Sequence, residues 1–340
     1  MSTGELMATA EALVAKGRGI LAADERAGTI AKRLASIGVE STEETRRSYR
    51  DLLFTTPGME EFISGVILYD ETIRQEGLEG TPFPELLSAK GVIPGIKVDT
   101  GAKPLAGFRG ERVTAGLDGL RERLAEYRHM GARFAKWRAV IRIDDAIPTH
   151  FCLLANAHAL ARYAALCQEA SMVPIVEPEV LMTGSHTLER CEEVTEATLE
   201  QVFFQLLEHR VELEGMLLKP NMVTAGQDCA RQGSSVEVAE ATVRCFRRVV
   251  PAAVPGVVFL SGGQNPEQAT ENLNAMNALG DHPWELSFSY GRALQQPTLH
   301  AWGGDPSRVA LAQELFHHRA RMNSAARSGS YSRHMEAAVS

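Results

Sequence analysis

The stretch GMLLKPN, residues 215–221, is a short apolar run that ends in a lysine. Such a run has the character of a buried strand, yet lysine is seldom buried without a partner. An ammonium in apolar surroundings tends to lose its proton, and the neutral amine is then a nucleophile. Lys219 therefore either reaches solvent at the tip of a strand or takes part in chemistry.

Seven further apolar runs accompany this one along the chain. The eight candidate strands are GRGILAAD (17–24), ISGVILYD (63–70), IPGIKVD (93–99), FAKWRAV (134–140), VPIVEPE (173–179), GMLLKPN (215–221), VPGVVFLSG (254–262) and WELSFSYG (284–291). Amphipathic segments with apolar residues at every third or fourth position lie between them, most clearly at 115–130, 197–212 and 236–250. Strands that are apolar on both faces and alternate with helices predict a parallel sheet covered by helices.

Eight such units predict an α/β fold, a (β/α)8 TIM barrel in a single domain over residues 1–323. The main alternative is a doubly wound open sheet, but such a sheet usually has a GxGxxG turn after its first strand. None follows residues 17–24. The last residues, 324–340, are small and polar, and they predict a flexible C-terminal tail.

Composition and charge exclude several classes of function. The 340 residues carry a net charge of −8, without a run of basic residues interleaved with aromatics, so no nucleic-acid partner is expected. No apolar run approaches the length of a membrane span, and the N-terminus does not have the pattern of a secretory signal. Five cysteines without CxxC spacing indicate neither a disulfide framework nor a zinc site, and they favour a reducing cytoplasm.

Charged residues gather where the candidate strands end. In a barrel the carboxyl ends of the strands form the active-site face, and residues two apart in a strand face the same way. The pairs with this spacing are Lys97 and Asp99, Lys136 and Arg138, and Glu177 and Glu179, and Lys219 joins them from the next strand. Any one of them is equally well explained as a solvated strand tip, but seven on four strands favour one shared cavity.

Two loops have the composition of an anion site. Ser261, Gly262 and Gly263 end the seventh run, and Asn265 and Pro266 then fit the N-cap and first position of a helix. Ser289, Gly291 and Arg292 follow the eighth run, and loops seven and eight commonly hold phosphate in such barrels. The SGG motif by itself is more often a plain turn, and the neighbouring arginine strengthens the prediction.

Eight motifs resemble the class I fructose-1,6-bisphosphate aldolases, the Schiff-base enzymes of glycolysis. They are GILAADERAGTIAKRL, GIKVDTG, FAKWR, PIVEPE, LLKPNMV, FLSGGQ, FSYGRALQ and AWGG, and they occur in the family's order across residues 10–325. The resemblance implies reversible cleavage of fructose 1,6-bisphosphate to dihydroxyacetone phosphate and glyceraldehyde 3-phosphate in glycolysis and gluconeogenesis. It also implies no cofactor, no metal and a cytoplasmic homotetramer.

The resemblance assigns roles position by position. Lys219 matches the lysine that forms the imine, and Glu177 matches the acid/base glutamate, with Glu179 beside it. The other matching catalytic positions are Asp24 and Lys136. The positions for substrate and phosphate are Lys97, Arg138, Ser261, Gly262, Gly263, Ser289, Gly291, Arg292, Thr29 and Arg33; of these, Ser261, Gly262, Gly291 and Arg292 match the C1 phosphate site, and Thr29 and Lys97 the C6 site.

Two positions depart from the family's pattern. In the animal enzymes the position of Arg26 is a serine that contacts the C6 phosphate, so an arginine there is expected to strengthen binding or to alter preference at that end. Vertebrate members end in a tyrosine that assists proton exchange, whereas this chain ends in Ser340 and its nearest tyrosine is Tyr331.

Three alternatives remain at the level of sequence. A related imine-forming barrel such as a transaldolase would use the same residues, but two phosphate sites favour a bisphosphate. A metal-dependent aldolase is disfavoured, because the histidines avoid the strand tips and form no ligand cluster. A catalytically silent sugar-phosphate-binding or scaffold protein is the alternative from another class, since fold alone does not establish activity.

Overall fold

Eight parallel strands close into a barrel, one for each predicted apolar run. The computed structural model describes residues 3–338. In this range there are ten strands, of which all but β4 and β5 form the barrel: β1 (Gly19–Ala22), β2 (Ile63–Leu68), β3 (Ile93–Lys97), β4 (Gly101–Pro104), β5 (Arg112–Ala115), β6 (Phe134–Ile141), β7 (Val173–Val180), β8 (Leu217–Leu218), β9 (Gly256–Phe259) and β10 (Glu285–Tyr290). The ring runs β1-β2-β3-β6-β7-β8-β9-β10, and β10 pairs back with β1. The predicted (β/α)8 barrel is therefore confirmed.

Helices surround the ring. They are α1 (Thr3–Leu13), α2 (Ala27–Ala35), α3 (Glu43–Thr55), α4 (Asp70–Ile73), α5 (Phe83–Ala89), α6 (Leu120–His129), α7 (His150–Glu169), α8 (Leu188–Glu208), α9 (Ser235–Val249), α10 (Pro266–Ala278), α11 (Arg292–Trp302) and α12 (Val309–Arg327). The predicted start of α10 is confirmed, because the Asn265 side chain accepts a hydrogen bond from the backbone N–H of Gln268 and Pro266 is the first helical residue.

Two of the three predicted helices have different bounds. The segment 115–130 becomes helical only at Leu120, because Ala115 belongs to β5 and Gly119 is in the left-handed conformation. The segment 197–212 overlaps the second half of a longer helix, α8, which begins at Leu188 and already ends at Glu208. Side-chain periodicity marks the buried stripe of a helix, whereas its ends depend on backbone conformation and caps.

A two-stranded antiparallel hairpin of β4 and β5 interrupts the alternation of strands and helices after β3. The apolar periodicity did not predict it, because its strands are short and partly exposed. The hairpin begins at Gly101, directly beyond the carboxyl end of β3, and therefore stands beside the mouth of the barrel.

The barrel interior is apolar at its lower end. Its side chains form one cluster with residues of α1, which closes the amino end of the barrel; the cluster contains Leu6, Ala10, Leu13, Val14, Ile20, Ala22, Ile67, Phe134, Val173, Ile175, Leu217 and Val258. Glycines give this cluster room: a Cβ at Gly65 would lie 2.6 Å from Leu13, and one at Gly95 would overlap the ring of Phe134. A second, larger cluster fills the space between strands and helices.

The C-terminal residues continue past the predicted domain boundary at 323. Helix α12 runs on to Arg327, and Tyr331 is buried, with its backbone N–H donating to Asn274. The carboxylate of Glu336 accepts hydrogen bonds from His318, Arg319 and Tyr331. Flexibility of 324–340 stays a prediction, and residues 339 and 340 lie outside the described range.

Candidate active site

The alternation of side chains places charged groups directly above the apolar layer of the barrel interior. On β6, Phe134 points inward and Lys136 and Arg138 follow at spacing two; on β7, Ile175 is followed by Glu177. In the parallel register Arg138 stands opposite Glu177. Lys136, Arg138 and Glu177 therefore face the barrel interior at the carboxyl ends of their strands.

A cavity of about 220 Å³ opens at this end of the barrel. Its lining contains Ala22, Asp24, Glu25, Arg26, Thr29, Arg33, Lys97, Lys136, Arg138, Glu177, Glu179, Lys219, Leu260, Ser261, Gly262, Ser289, Gly291 and Arg292. Every residue predicted for catalysis or substrate binding lines it except Gly263. A Cβ at Gly263 would overlap the side chain of Gln227, so this glycine lets the loops after β8 and β9 approach closely.

Lys219 lies one residue beyond β8 and is 3% exposed. Its backbone N–H donates to the carbonyl of Val176 at 2.8 Å, which carries the strand pairing up to the lysine. Its Nζ lies 3.4 Å from Oε1 of Glu177. Burial lowers the pKa of Lys219, and the charge of Lys136 lowers it further, although Glu177 opposes both effects. At a given pH a larger fraction of Lys219 is therefore neutral than of a free lysine.

Lys136 is the other buried lysine of the cavity, and it keeps its proton. Burial disfavours its ammonium, yet Asp24 and Glu177 together raise the pKa of Lys136. Burial alone would raise the pKa values of Asp24 and Glu177, but the nearby cations, Lys136 foremost, leave both below their ordinary range. The two carboxylates and Lys136 thus form a charged group beside an amine that loses its proton more readily.

Three arginines at the rim of the cavity are each oriented by a carboxylate. Arg138 is paired with Glu179, and Arg26 with Asp99. Glu25 also lines the cavity but was not predicted as a site residue. Its position directly after Asp24 was the only feature of the sequence that could have indicated it. Glu25 binds Arg33, which lines the cavity, and also Arg50, which is buried. Long-range pairs of this kind leave no local pattern in the sequence.

Neutral donors and one arginine lie together on the β9 and β10 side of the cavity. Ser289 is 1% exposed, and its hydroxyl has no hydrogen-bond partner within residues 3–338, although the residue lines the cavity. Arg292 donates to the carbonyl of Gly262 at 2.8 Å, which holds the guanidinium at the rim. Gly262 has φ +54°, a left-handed conformation that favours glycine. The unpartnered hydroxyl and the arginine are suited to a phosphate.

Cations also line the opposite side of the cavity. In the ring, three strands separate β3 from β9 in either direction, so Lys97 on β3 lies across the barrel from Ser261. Lys136 and Lys219 stand between the two sides, on β6 and after β8. The arrangement can hold a small molecule that carries an anionic group at each end, with its middle over the lysines.

Residues 3–338 contain no group of three His, Cys, Asp or Glu side chains that is arranged to hold a metal ion. Nor is any helix in that range both long and apolar enough to cross a bilayer.

Comparisons with known proteins agree with this geometry. The model of the family "Fructose-bisphosphate aldolase class-I" matches residues 5–340. A probable fructose-bisphosphate aldolase class 1 of Xanthomonas axonopodis pv. citri is 58% identical over 332 residues, 97% of this chain and 99% of that protein. Fructose-bisphosphate aldolase 6, cytosolic, of Arabidopsis thaliana is 55% identical, over 96% of this chain and 91% of that protein.

Among solved structures, that of Plasmodium falciparum fructose-bisphosphate aldolase, in complex with TRAP and a small-molecule inhibitor, superimposes with a TM-score of 0.96. It is 52% identical in sequence and covers 97% of this chain and 95% of its own. The chain belongs to the class I fructose-bisphosphate aldolase family.

Proposed function

We propose that this chain cleaves fructose 1,6-bisphosphate reversibly to dihydroxyacetone phosphate and glyceraldehyde 3-phosphate through an imine on Lys219. The observation that carries the proposal is the environment of that amine: it is buried, its pKa is lowered by burial, and it lies 3.4 Å from Glu177. The alternative of a silent binding protein would require no such amine beside an acid/base group.

The imine solves a specific problem of the reaction. Breaking the C3–C4 bond of the ketose leaves an electron pair on C3, next to the C2 carbonyl, and a ketone accepts that pair poorly at neutral pH. A protonated imine at C2 accepts it well and becomes an enamine. Lys219 must first lose a proton to attack C2, and burial together with the charge of Lys136 promotes that loss.

Glu177 handles the protons of each step. Its pKa is lowered, so it starts as a carboxylate, and at 3.4 Å it is placed to take the proton that Lys219 gives up. It then returns that proton to the departing carbinolamine hydroxyl, which leaves as water. As a carboxylate again, it accepts the C4 hydroxyl proton while the C3–C4 bond breaks.

The remaining groups position the substrate. Asp24 is assigned to hydrogen bonds with substrate hydroxyls or the imine, and Glu179 to orienting Arg138. Ser261, Gly262, Ser289, Gly291 and Arg292 would bind the C1 phosphate, and Lys97, Thr29 and Arg33 the C6 phosphate. Holding both ends fixes the cleaved bond over Lys219. Glyceraldehyde 3-phosphate leaves first. A proton added at C3 then converts the enamine back to the imine, and hydrolysis of the imine frees dihydroxyacetone phosphate.

Borohydride reduction with dihydroxyacetone phosphate tests the proposal. We expect a stable adduct whose mass maps to the peptide containing Lys219 and which is absent from Lys219→Met. Lys103→Met, a change at an exposed lysine, is the matched control and should keep the adduct. Loss of cleavage on EDTA treatment, or cleavage by Lys219→Met, would contradict the imine mechanism. Preference for fructose 6-phosphate with an aldose acceptor would instead favour a transaldolase.

We also propose a cytoplasmic homotetramer. The relative named cytosolic in Arabidopsis thaliana supports the location, and family resemblance supports the assembly. Phe204 and Leu207 on α8 are 55% and 72% exposed, which suits a subunit contact. Light scattering after gel filtration should give four times the 37.0 kDa of one chain, and a monomeric mass would contradict the proposal.

A further inference from the structure

Two prolines interrupt the hydrogen bonding between β7 and β8 beside Lys219. Strand β8 ends at residue 218, and the Lys219 N–H donates to the Val176 carbonyl at 2.8 Å. Pro220 follows and has no N–H to donate. On β7, Pro178 lies two residues beyond Val176, so its nitrogen is directed toward β8, but it also has no hydrogen. Backbone pairing therefore fixes the segment that carries Lys219 only at its beginning.

The side chain of Asn221 restores the connection to β7. Asn221 is 2% exposed, and its Oδ1 accepts from the N–H of Val180, the last residue of β7, at 2.9 Å. Its Nδ2 donates to the Thr195 hydroxyl on α8 at 3.1 Å and to the Met222 carbonyl at 3.0 Å. An amide supplies both the acceptor and the two donors that these partners require.

These bonds lie on both sides of the two groups that form the imine. On β7, Val176 and Val180 stand before and after Glu177. On the facing segment, Lys219 is bonded through its own N–H and through Asn221 two residues later. Both ends of this segment are therefore tied to the strand that carries Glu177. The 3.4 Å separation of Lys219 Nζ and Glu177 Oε1 is thus set by two fixed points.

Asn221 does not line the active-site cavity. Its contacts are with β7, with α8 and with the next backbone carbonyl, so it reaches the substrate only through Lys219 and Glu177. Thr195 gives the amide a rigid anchor, because it is 1% exposed and lies in the interior of the 21-residue helix α8.

We propose that Asn221 is a positioning residue for imine formation, which holds Lys219 at the distance from Glu177 that their proton exchange requires. The inference rests on the proposed function. A displacement of about 1 Å between reacting groups can lower a rate by about 10². Asn221 is therefore expected to affect the chemical steps and not the binding of the phosphates, which are assigned to other strands.

The test follows formation of the adduct with dihydroxyacetone phosphate, by quenching the reaction into borohydride at increasing times. It also measures kcat and KM for fructose 1,6-bisphosphate. Asn221→Ala should lower the rate of adduct formation and kcat by about tenfold to hundredfold. KM should change little, because the phosphate contacts are retained.

Thr242→Ala is the matched control. Thr242 is buried on α9, and its hydroxyl accepts from the Val223 N–H at 2.9 Å, in the same loop after β8. The change removes a buried side-chain bond to the backbone of this loop, but not one that reaches β7. Thr242→Ala should lower the free energy of unfolding, as Asn221→Ala does, and should keep the wild-type rate of adduct formation.

A double-mutant cycle with Glu177→Gln identifies how the effect reaches the reaction. If Asn221 acts by holding Lys219 to Glu177, adding Asn221→Ala to Glu177→Gln should slow adduct formation little further. Multiplied losses in the double variant would overturn the inference. So would a wild-type rate in Asn221→Ala, or an equal loss in Thr242→Ala.

Should Asn221→Ala fail to fold, Thr195→Ala takes its place, since it removes one partner of the amide and leaves the Val180 bond intact. Its adduct formation should be slower by about twofold to tenfold, and a wild-type rate would overturn the inference. If the wild type forms no adduct and does not cleave fructose 1,6-bisphosphate, the proposed function fails and the inference with it. An adduct that the wild type and Asn221→Ala form equally fast refutes the inference alone.

Discussion

Lys136 Nζ lies 2.7 Å from Oδ2 of Asp24, and both groups are buried. The same ammonium is 3.0 Å from Glu177, so one cation serves two carboxylates. A second lysine, Lys219, shares the space but has the longer contact, at 3.4 Å. The two lysines therefore have different protonation behaviour: the pKa of Lys136 is raised, so it keeps its proton, whereas the pKa of Lys219 is lowered, so it loses one more readily.

Replacing Lys136 with methionine should shift the pH dependence of imine formation to higher pH. The Lys136 charge lowers the pKa of Lys219, so its removal raises that pKa and leaves less neutral amine at a given pH. The rate of borohydride-trapped adduct formation between pH 6 and 10 measures the shift. Lys103→Met should leave the profile in place, and an unshifted profile for Lys136→Met would refute the assigned role.

Glu177→Gln should lower kcat by about 10² to 10⁴, the usual contribution of a general acid/base group. The amide can neither take the Lys219 proton nor return it, so we expect slow imine formation and slow cleavage together. Single-turnover rates measure both steps. A variant that kept wild-type cleavage rates would show that another group, with Asp24 the nearest candidate, performs the proton transfers.

The site should make the protein sensitive to acid. The folded-state pKa of Asp24 lies below its ordinary 3.8 and that of Glu177 below 4.5. The stability that the two carboxylates contribute is therefore fully present above their ordinary pKa values. It is lost as the pH falls below those ordinary values toward the lower folded-state values. Urea unfolding at pH 7, 5 and 3 should show this loss, and Asp24→Asn should reduce it by about 1 kcal/mol. Equal losses in both proteins would contradict the interpretation.

The barrel interior should not tolerate an added methyl group at Gly95. A Cβ there overlaps the ring of Phe134, so Gly95→Ala should lower the free energy of unfolding by about 1–3 kcal/mol. Adding Phe134→Leu should recover part of the loss. Gly28→Ala, where a Cβ meets no atom within 4 Å, is the control and should be neutral or slightly stabilising. Urea unfolding curves supply the comparison.

Glu336 should anchor the C-terminal segment. Its carboxylate accepts from His318 and Tyr331, at 2.9 Å each, and from Arg319, which is buried. Glu336→Gln should therefore speed proteolytic cleavage after residue 327, by lowering the free energy of local opening by about 1 kcal/mol. Glu271→Gln breaks the exposed pair with Arg333 and should have little effect. Equal rates for the two variants would refute the anchoring role.

The sequence by itself predicted the eight strands, the closed barrel and the residues at the strand ends. These features are local: apolar runs and spacing two along a strand depend on neighbours in the chain, and the carboxyl ends of parallel strands must meet at one face. Motifs around Lys219, Glu177 and Arg292 added the family resemblance, and the same residues line the cavity.

Only the tertiary structure decided the contacts among those residues. That Lys136 takes both carboxylates, that Glu25 joins Arg33 to Arg50, and that Arg26 lies over Gly101 depend on segments far apart in the chain. The hairpin and the start of α6 likewise followed from backbone conformation and not from periodicity. Charges in a buried site interact through space, so their partners and their pKa values are set only when closure of the barrel fixes the distances between them.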